Sequence, residues 1–254
     1  MHLMRRLLLV FALLLPLASF AEELAVAAAA DLNFAMKEIA QQYQRDTGNT
    51  LKLSFGSSGN FLVQIENGAP FDLFFSADVS SPEKLEQAGL AEPGTLYRYA
   101  VGKIVLWAPN SSKLNLKQGI NVLLDPSIHK IAIANPAHAP YGRAAEEALK
   151  QAGIYDRVKD KLVLGENISQ TAQFVETGNA EVGIIAESLA LAPTMKSAGQ
   201  FVPVPIELYT PIEQAAIVLK SSAKKSAAKK FLEYLQQPAA REILARYGFS
   251  LPNR

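Results

Sequence analysis

Four short segments of the sequence place glycine, serine, asparagine or aspartate at the expected start of a helix. These segments are Ala30-Asp31, Gly56-Ser57-Ser58-Gly59, Ala139-Pro140-Tyr141-Gly142 and Glu166-Asn167-Ile168-Ser169-Gln170. A helix start leaves backbone N–H groups without acceptors and carries a partial positive charge, so it can bind an anion. Glycine lets the backbone approach a ligand closely, and serine adds a hydroxyl donor. Converging segments would form a cage of neutral donors for a small oxyanion, whereas ordinary helix capping is the alternative.

The sequence contains few of the residues that catalytic sites and metal sites require. The chain has no cysteine, which excludes disulfides, thiolate metal sites and cysteine nucleophiles, and it has only three histidines. Residues 55–60 (FGSSGN) miss the G-x-S-x-G nucleophile motif because Asn60 stands in place of its last glycine. His129 and His138 are interpreted as ordinary surface or loop residues.

Two further groups of residues have more than one interpretation. Asp72 and Asp78 bracket an expected strand, where they could hold a hard cation or act as acid and base. The commoner role of such residues is to end a strand and open a turn. Tyr97, Tyr99 and Trp107 are predicted to form an aromatic cluster, interpreted as packing in the core or at a hinge in preference to a platform for a ligand.

The first 21 residues are predicted to be a secretory signal peptide. Arg5 and Arg6 form its basic region, residues 7–18 form an apolar run, and Ser19 and Ala21 are small residues before the cleavage point. A membrane anchor is the weaker interpretation, because the apolar run is shorter than the ~20 residues that span a bilayer. The remaining chain has 23 basic and 24 acidic residues, which gives no electrostatic footprint for nucleic acid.

Apolar periodicity divides the rest of the chain into alternating strands and helices. Residues 24–30 (LAVAAAA) predict a buried strand, and residues 32–45 have the spacing of an amphipathic helix. Similar strand–helix pairs follow at 50–55 with 58–66, 71–75 with 82–88, 130–134 with 143–152 and 161–164 with 169–176, with a strand at 181–186 and helices at 223–235 and 238–247. This alternation predicts an α/β fold with mostly parallel strands.

Two long extended runs, near 96–108 and 203–219, enclose the middle of the chain. They predict two α/β lobes joined by two crossing strands. Residues 22–106 plus 210–254 would form lobe 1, and residues 107–209 would form lobe 2. A ligand in such an architecture lies in the cleft between the lobes. A single doubly wound sheet is the alternative.

From Leu24 to Pro252 the sequence resembles the periplasmic molybdate-binding proteins of ABC transporters. The resemblance is carried by AVAAAADLNFAMKEIAQQY, FGSSGNFLVQIENGAPFDLFFSAD, YAVGKIVLWAP, IAIANPAHAPYG, ENISQTAQFVETGNAEVGII and AREILARYGFSLP. It implies a two-lobed type II periplasmic binding protein fold of the α/β class. The family closes its two lobes around a tetrahedral oxyanion.

The resemblance also implies which residues bind the oxyanion, chiefly through backbone N–H groups. By position these are Ala30, Asp31, Ser58, Tyr141 and Ile168, with Ser58 adding its hydroxyl. We therefore expect no catalytic residue, no cofactor and no cation site, since molybdenum would be bound only within the oxyanion.

The expected partners follow from the same resemblance. The ligands would be molybdate and tungstate, and the protein partner would be an inner-membrane ABC permease. The mature protein is expected to be a monomer in the periplasm, without stable membrane insertion and without nucleic acid.

Two positions depart from the family pattern. The family usually offers a hydroxyl or amide where Asp31 stands, and some members have a tyrosine at the position of Ala186. We predict that Asp31 caps the first helix by accepting the N–H of Asn33 or Phe34. The alternative turns its carboxylate into the cleft, where it would favour a protonated ligand.

Three other functions stay open from the sequence. The chain could capture a different tetrahedral oxyanion, including a protonated one. It could be a ligand-binding sensor subunit. It could also be an exported hydrolase with Ser58 as nucleophile, although the sequence offers no convincing base.

Overall fold

The computed structural model describes residues 21–251. The predicted signal peptide therefore lies outside the described residues, apart from its last position, Ala21. Within the described range, no helix combines the length and apolar character that a membrane crossing requires.

The first sheet combines strands from the N-terminal part of the chain with one strand from near the C-terminus. Its strands are β1 (Glu23–Ala29), β2 (Thr50–Gly56), β3 (Leu73–Ser76), β4 (Tyr97–Gly102) and β10 (Ile212–Val218). They lie in the order β2-β1-β3-β10-β4. Strand β1 is parallel to β2 and β3, so that Ala28 lies between Phe55 and Phe75, whereas β10 is antiparallel to β3 and β4.

The second sheet repeats this arrangement with strands from the middle of the chain. Its strands are β5 (Ile104–Pro109), β6 (Ile131–Ala134), β7 (Leu162–Gly165), β8 (Val182–Ala186) and β9 (Gly199–Pro203). They lie in the order β7-β6-β8-β5-β9, with β6 parallel to β7 and β8 and with β5 antiparallel to β8 and β9. The two-lobed α/β prediction is thus confirmed, and the single-sheet alternative is wrong.

Helices cover both sheets. They are α1 (Asn33–Thr47), α2 (Ser58–Glu66), α3 (Ser80–Gln87), α4 (Pro140–Gln151), α5 (Tyr155–Val158), α6 (Ile168–Glu176), α7 (Glu187–Ala190), α8 (Pro193–Ala198), α9 (Lys225–Tyr234) and α10 (Pro238–Arg246), with 3-10 turns at Ala30–Leu32, Leu116–Leu124, Lys159–Lys161 and Ile206–Leu208. Helix α1 buries Ala35, Met36, Ile39 and Tyr43 on one face, as its spacing predicts.

The chain changes sheet twice. It leaves the first sheet after Gly102 and joins the second at Ile104, and it returns between Pro203 and Ile212. The extended run near 96–108 therefore contains two strands, β4 and β5, that belong to different sheets. The run near 203–219 contains β10, whereas its first part, up to residue 211, includes only Pro203 of β9 and the 3-10 turn Ile206–Leu208. The domain boundaries predicted above stay a prediction.

Tyr99 and Trp107 both pack in a core, as predicted, but in two different cores. Tyr99 packs edge-to-face on Phe75 with ring centroids 5.4 Å apart in the core of the first lobe. Trp107 belongs to the core of the second lobe, where its indole N–H donates to the carbonyl of Met195 at 3.3 Å. The two rings separate because the chain changes sheet between them.

Candidate functional site

The five residues that the sequence predicts as an oxyanion site surround one small cavity between the lobes. The cavity measures about 10 Å³. It is lined by Ala29, Ala30, Asp31, Gly56, Ser57, Ser58, Ala77, Ala139, Pro140, Tyr141 and Ile168. The first seven lie at or just after the ends of β1, β2 and β3 in the first lobe, and the last four lie at the starts of α4 and α6 in the second. Both lobes therefore contribute the carboxyl ends of their parallel strands, where α/β proteins bind ligands.

The first lobe contributes the start of α2. Ser57 is the extended residue before this helix, and Ser58 is its first residue. The buried Ser58 hydroxyl oxygen accepts the backbone N–H of Ala77 at 2.9 Å. A hydroxyl can accept and donate at the same time, so the Ser58 proton is free to be donated to a bound acceptor.

The second lobe contributes the starts of α4 and α6. Pro140 begins α4 and has no N–H, so Tyr141 carries the first N–H of this helix. Before α6, the Asn167 side chain accepts the N–H groups of Ser169 and Gln170 at 3.0 and 3.1 Å. This cap leaves the N–H of Ile168, the first residue of α6, as an unused helix-start donor.

Asp31 lies at the centre of a hydrogen-bond network that joins the two lobes. Its Oδ2 accepts the hydroxyl of Tyr141 at 2.9 Å and the side-chain amide of Gln214 at 2.7 Å. The Gln214 carbonyl in turn accepts the hydroxyl of Tyr99 at 2.6 Å. The neighbouring Gly102 allows this packing, because a Cβ there would lie 2.1 Å from the Tyr141 hydroxyl oxygen.

The prediction that Asp31 caps the first helix is wrong. Asp31 lies inside the 3-10 turn Ala30–Leu32, and the residue before α1 is Leu32. In the described chain, no side chain forms a capping hydrogen bond at the start of the 3-10 turn or at the start of α1. The carboxyl instead turns to partners that are 110 and 183 residues away along the chain.

The electrostatic surroundings of Asp31 are unusual for a carboxyl group. Only 1% of Asp31 is exposed, and burial raises its pKa from 3.8 to about 6. The hydrogen bonds from Gln214 and Tyr141 hold the pKa lower than burial alone would, and the backbone N–H groups of Asp31 and Leu32 lower it further. Among the described residues that line the cavity, none is lysine, arginine or histidine.

A second set of contacts joins the lobes beside the cavity, around His138. The Gly59 N–H donates to the His138 carbonyl at 2.9 Å, and His138 Nδ1 lies 3.0 Å from the Ser57 hydroxyl oxygen. His138 Nε2 is 3.7 Å from Oε2 of Glu166. The other carboxylate oxygen of Glu166, Oε1, accepts the side-chain amide of Asn60. These five residues form an inter-lobe latch.

Three more inter-lobe bonds surround the site. Ser169 donates its hydroxyl to the carbonyl of Ala30 at 2.9 Å, and Ser188 donates to the carbonyl of Asp31 at 2.8 Å. Arg143 pairs with Asp78 at 2.6 Å. The lobes are therefore in a closed arrangement, since each side of the cavity carries hydrogen bonds from one lobe to the other.

Asp72 and Asp78 have structural roles. Asp72 accepts the Ala25 N–H at 2.8 Å and the Ser222 hydroxyl at 2.6 Å, and Asp78 accepts the Ser81 N–H at 2.8 Å. Within residues 21–251 there is no group of histidine, aspartate and glutamate side chains that could hold a metal ion. The turn interpretation is confirmed for Asp78, which follows β3 and binds the N–H three residues on. It is wrong for Asp72, which precedes β3 and binds distant segments of the chain.

Sequence reasoning missed Gln214 and the inter-lobe contacts of His138. Gln214 is fully buried within the apolar strand β10, and a polar residue in such a strand is a signal that could have identified it. His138 is isolated in its loop, and its partners come from distant segments. No local pattern could therefore have identified it.

The fold and the cavity together define a class of protein. The sequence profile of the family described as "Bacterial extracellular solute-binding protein" matches residues 24–250. The chain therefore belongs to this family of binding proteins.

Several individual proteins of known name are similar to this chain over most of its length. The molybdate-binding protein ModA of Rhodobacter capsulatus is 42% identical over 95% of this chain and 92% of its own length. ModA of Azotobacter vinelandii is 42% identical over 94% of each chain. The solved structure of the periplasmic molybdate-binding protein of Azotobacter vinelandii has a TM-score of 0.86 at 36% identity, and the match covers 91% of this chain and 100% of that one.

Proposed function

We propose that this protein captures molybdate in the periplasm and delivers it to an inner-membrane ABC permease. The observation that carries the proposal is the convergence of Ala30, Asp31, Ser58, Tyr141 and Ile168 around one cavity. The 42% identity to proteins named for molybdate binding supports the choice of ligand. Tungstate is proposed as a second ligand, because it is nearly the size of molybdate and carries the same charge.

Recognition would depend on neutral donors instead of counter-charges. The helix starts at Ser58, Tyr141 and Ile168 offer backbone N–H groups with the favourable end of the helix dipole. The Ser58 hydroxyl adds a further donor. Such a cage binds a small anion strongly because its dipoles are already oriented and excluded from water.

Closure of the two lobes around the ligand would link ligand binding to its delivery to the permease. Residues 22–106 with 210–254 form one proposed lobe and residues 107–209 the other, and the cavity walls come from both. Ligand binding would hold the two lobes together, and a permease would recognise that closed form. We propose that the protein does this as a monomer.

Calorimetry with a panel of oxyanions tests the proposal. The purified protein should bind molybdate and tungstate far more tightly than sulfate and phosphate, and molybdate should raise its melting temperature. No measurable molybdate binding would overturn the proposed function. A higher affinity for another anion of the panel would instead support capture of a different tetrahedral oxyanion.

The contacts of Ser58 and His138 do not support the hydrolase hypothesis. Its proposed nucleophile, the Ser58 hydroxyl, accepts a backbone N–H from Ala77. The imidazole of His138 contacts Ser57 instead. The related proteins described above are named for binding.

A further inference from the structure

The two oxygens of the Asp31 carboxyl group have different surroundings. Oδ2 accepts hydrogen bonds from Tyr141 at 2.9 Å and from Gln214 at 2.7 Å. Oδ1 is buried and has no hydrogen-bond partner among residues 21–251. Asp31 lines the cavity, so an oxyanion in that cavity would lie beside this residue.

The surrounding bonds identify Oδ2 as an acceptor. The Gln214 carbonyl accepts the Tyr99 hydroxyl at 2.6 Å, which directs the Gln214 amide N–H groups toward Oδ2 and toward the Tyr141 oxygen. The Tyr141 oxygen thus accepts from Gln214 at 3.0 Å and uses its own proton for Oδ2. A proton on the carboxyl group would therefore be carried by Oδ1.

An ionised Asp31 would oppose the binding of a dianion for two reasons. Like charges at close range repel each other strongly in a buried site. A charged oxygen without a hydrogen-bond partner also adds a desolvation cost. Protonation of Oδ1 removes both costs, because Oδ1–H becomes a donor to the anion.

We propose that Asp31 binds the oxyanion as a neutral carboxylic acid, whose Oδ1–H donates to an anion oxygen, so that ligand capture takes up one proton from the solvent. This inference rests on the proposed function, since it requires an oxyanion in the cavity. The O–H bond on Oδ1 forms as the bond between that proton and its donor, a water molecule or a buffer acid, breaks, and the conjugate base of the donor stays in solution. Burial places the pKa of Asp31 at about 6 in the protein alone. Above neutral pH the carboxyl is therefore ionised before the anion arrives.

The groups that face Asp31 from other elements are consistent with this role. Tyr141 on α4 and Tyr99 on β4 are buried, and burial together with the charge of Asp31 raises the pKa of both hydroxyls well above the usual range. Both tyrosines therefore stay neutral donors, and Gln214 on β10 is uncharged. Asp78 acts on Tyr99 through its charge and does not contact Asp31. No described lysine, arginine or histidine pairs with Asp31 to hold it ionised.

Calorimetry of molybdate binding in buffers of different ionisation enthalpy tests the proton uptake. Near pH 8, the wild-type protein should take up close to one proton per molybdate bound. Its Kd should rise toward tenfold for each pH unit between about pH 7 and about pH 8, whereas molybdate itself stays a dianion in this range. Asp31→Asn should take up no proton, and its Kd should vary by less than about twofold over the same range.

A matched control comes from another inter-lobe carboxylate. Asp78→Asn makes the same chemical change at the pair with Arg143, and it should keep the wild-type proton uptake and the wild-type slope of Kd with pH. Melting curves of both variants verify that they fold. Wild-type binding of molybdate without proton uptake would overturn the inference while leaving the proposed function intact. A wild-type protein that binds no molybdate at any pH would overturn the proposed function itself.

Infrared difference spectroscopy locates the proton. Addition of molybdate near pH 8 should produce the carbonyl band of a protonated carboxylic acid in the wild type and in Asp78→Asn. Asp31→Asn should lack that band. Its absence from the wild type, or its persistence in Asp31→Asn, would contradict the assignment of the proton to Asp31.

Discussion

The backbone N–H of Gly59 donates a 2.9 Å hydrogen bond to the carbonyl oxygen of His138, and this bond joins α2 of the first lobe to the loop before α4 of the second. A Cβ atom on residue 59 would lie 2.7 Å from that oxygen. This distance is shorter than a carbon–oxygen contact allows, so the closed arrangement depends on glycine at this position.

Gly59→Ala should weaken molybdate binding. The added methyl group separates the lobes at the latch, and overpacking of this kind costs about 1–3 kcal/mol. The Kd should rise by roughly tenfold or more. The melting temperature without ligand should be kept, because alanine favours the helix. Val63→Ala, on the exposed side of the same helix, is the control and should bind as the wild type does. Equal affinities of the two variants would show that the latch does not contribute to closure.

Ser58→Ala should weaken molybdate binding more than Ser57→Ala. A hydrogen bond to a charged group contributes about 1.5–3 kcal/mol, so the Kd of Ser58→Ala should rise by roughly tenfold or more. The same change leaves the Ala77 N–H without its acceptor, and the melting temperature should therefore fall as well. Calorimetry and melting curves of both variants measure the difference. A larger loss of affinity in Ser57→Ala would show that Ser57, and not Ser58, donates its hydroxyl to the ligand.

The stability of the protein should depend on pH through Asp31. Its pKa is raised from 3.8 to about 6, so the folded protein holds a proton that the unfolded chain has lost. The contribution to stability is present below about pH 4 and is lost as the pH rises through about 6. Between these limits the free energy of unfolding should fall by about 3 kcal/mol relative to Asp31→Asn. Urea unfolding of both proteins across this range measures the effect, and parallel curves would contradict it.

Anion size should decide selectivity. Sulfate has the charge and shape of molybdate but is smaller, so donors fixed by α2, α4 and α6 would form long, weak hydrogen bonds with it. Molybdate should bind at least tenfold more tightly than sulfate, and tungstate should differ little from molybdate. Competition calorimetry compares the three anions. Equal affinity for sulfate and molybdate would show that the cage adapts its size to the ligand.

The sequence predicts those features that depend on neighbouring residues. Helix α2 begins at Ser58 and ends at Glu66, the limits that its spacing predicts. The Asp31 prediction failed because capping is a local rule, whereas the carboxyl is held by Tyr141 and Gln214 from distant segments. A one-dimensional pattern contains no sign of those partners. Only the resemblance to a family placed the four junctions around a common site before the structure did.

The two extended runs show the same limit. The prediction of strands is confirmed for the run near 96–108, which contains β4 and β5, and in the run near 203–219 it is confirmed only for β10. The change of sheet at Lys103, between Gly102 and Ile104, leaves no mark in the alternation of apolar residues, because residues on both sides are strand residues. Periodicity identifies a strand, but it does not identify the sheet that the strand joins.

The position of β10 has a consequence for how the chain is made. In the first sheet β10 lies between β3 and β4, although it is synthesised after every strand of the second sheet. The second sheet consists of the consecutive strands β5 to β9, so it can assemble as soon as residues 104–203 have left the ribosome. The first sheet stays divided until residues 212–218 arrive. The lobe that begins the chain is therefore the last to be completed, and a nascent chain that stops before β10 presents two open strand edges to its surroundings.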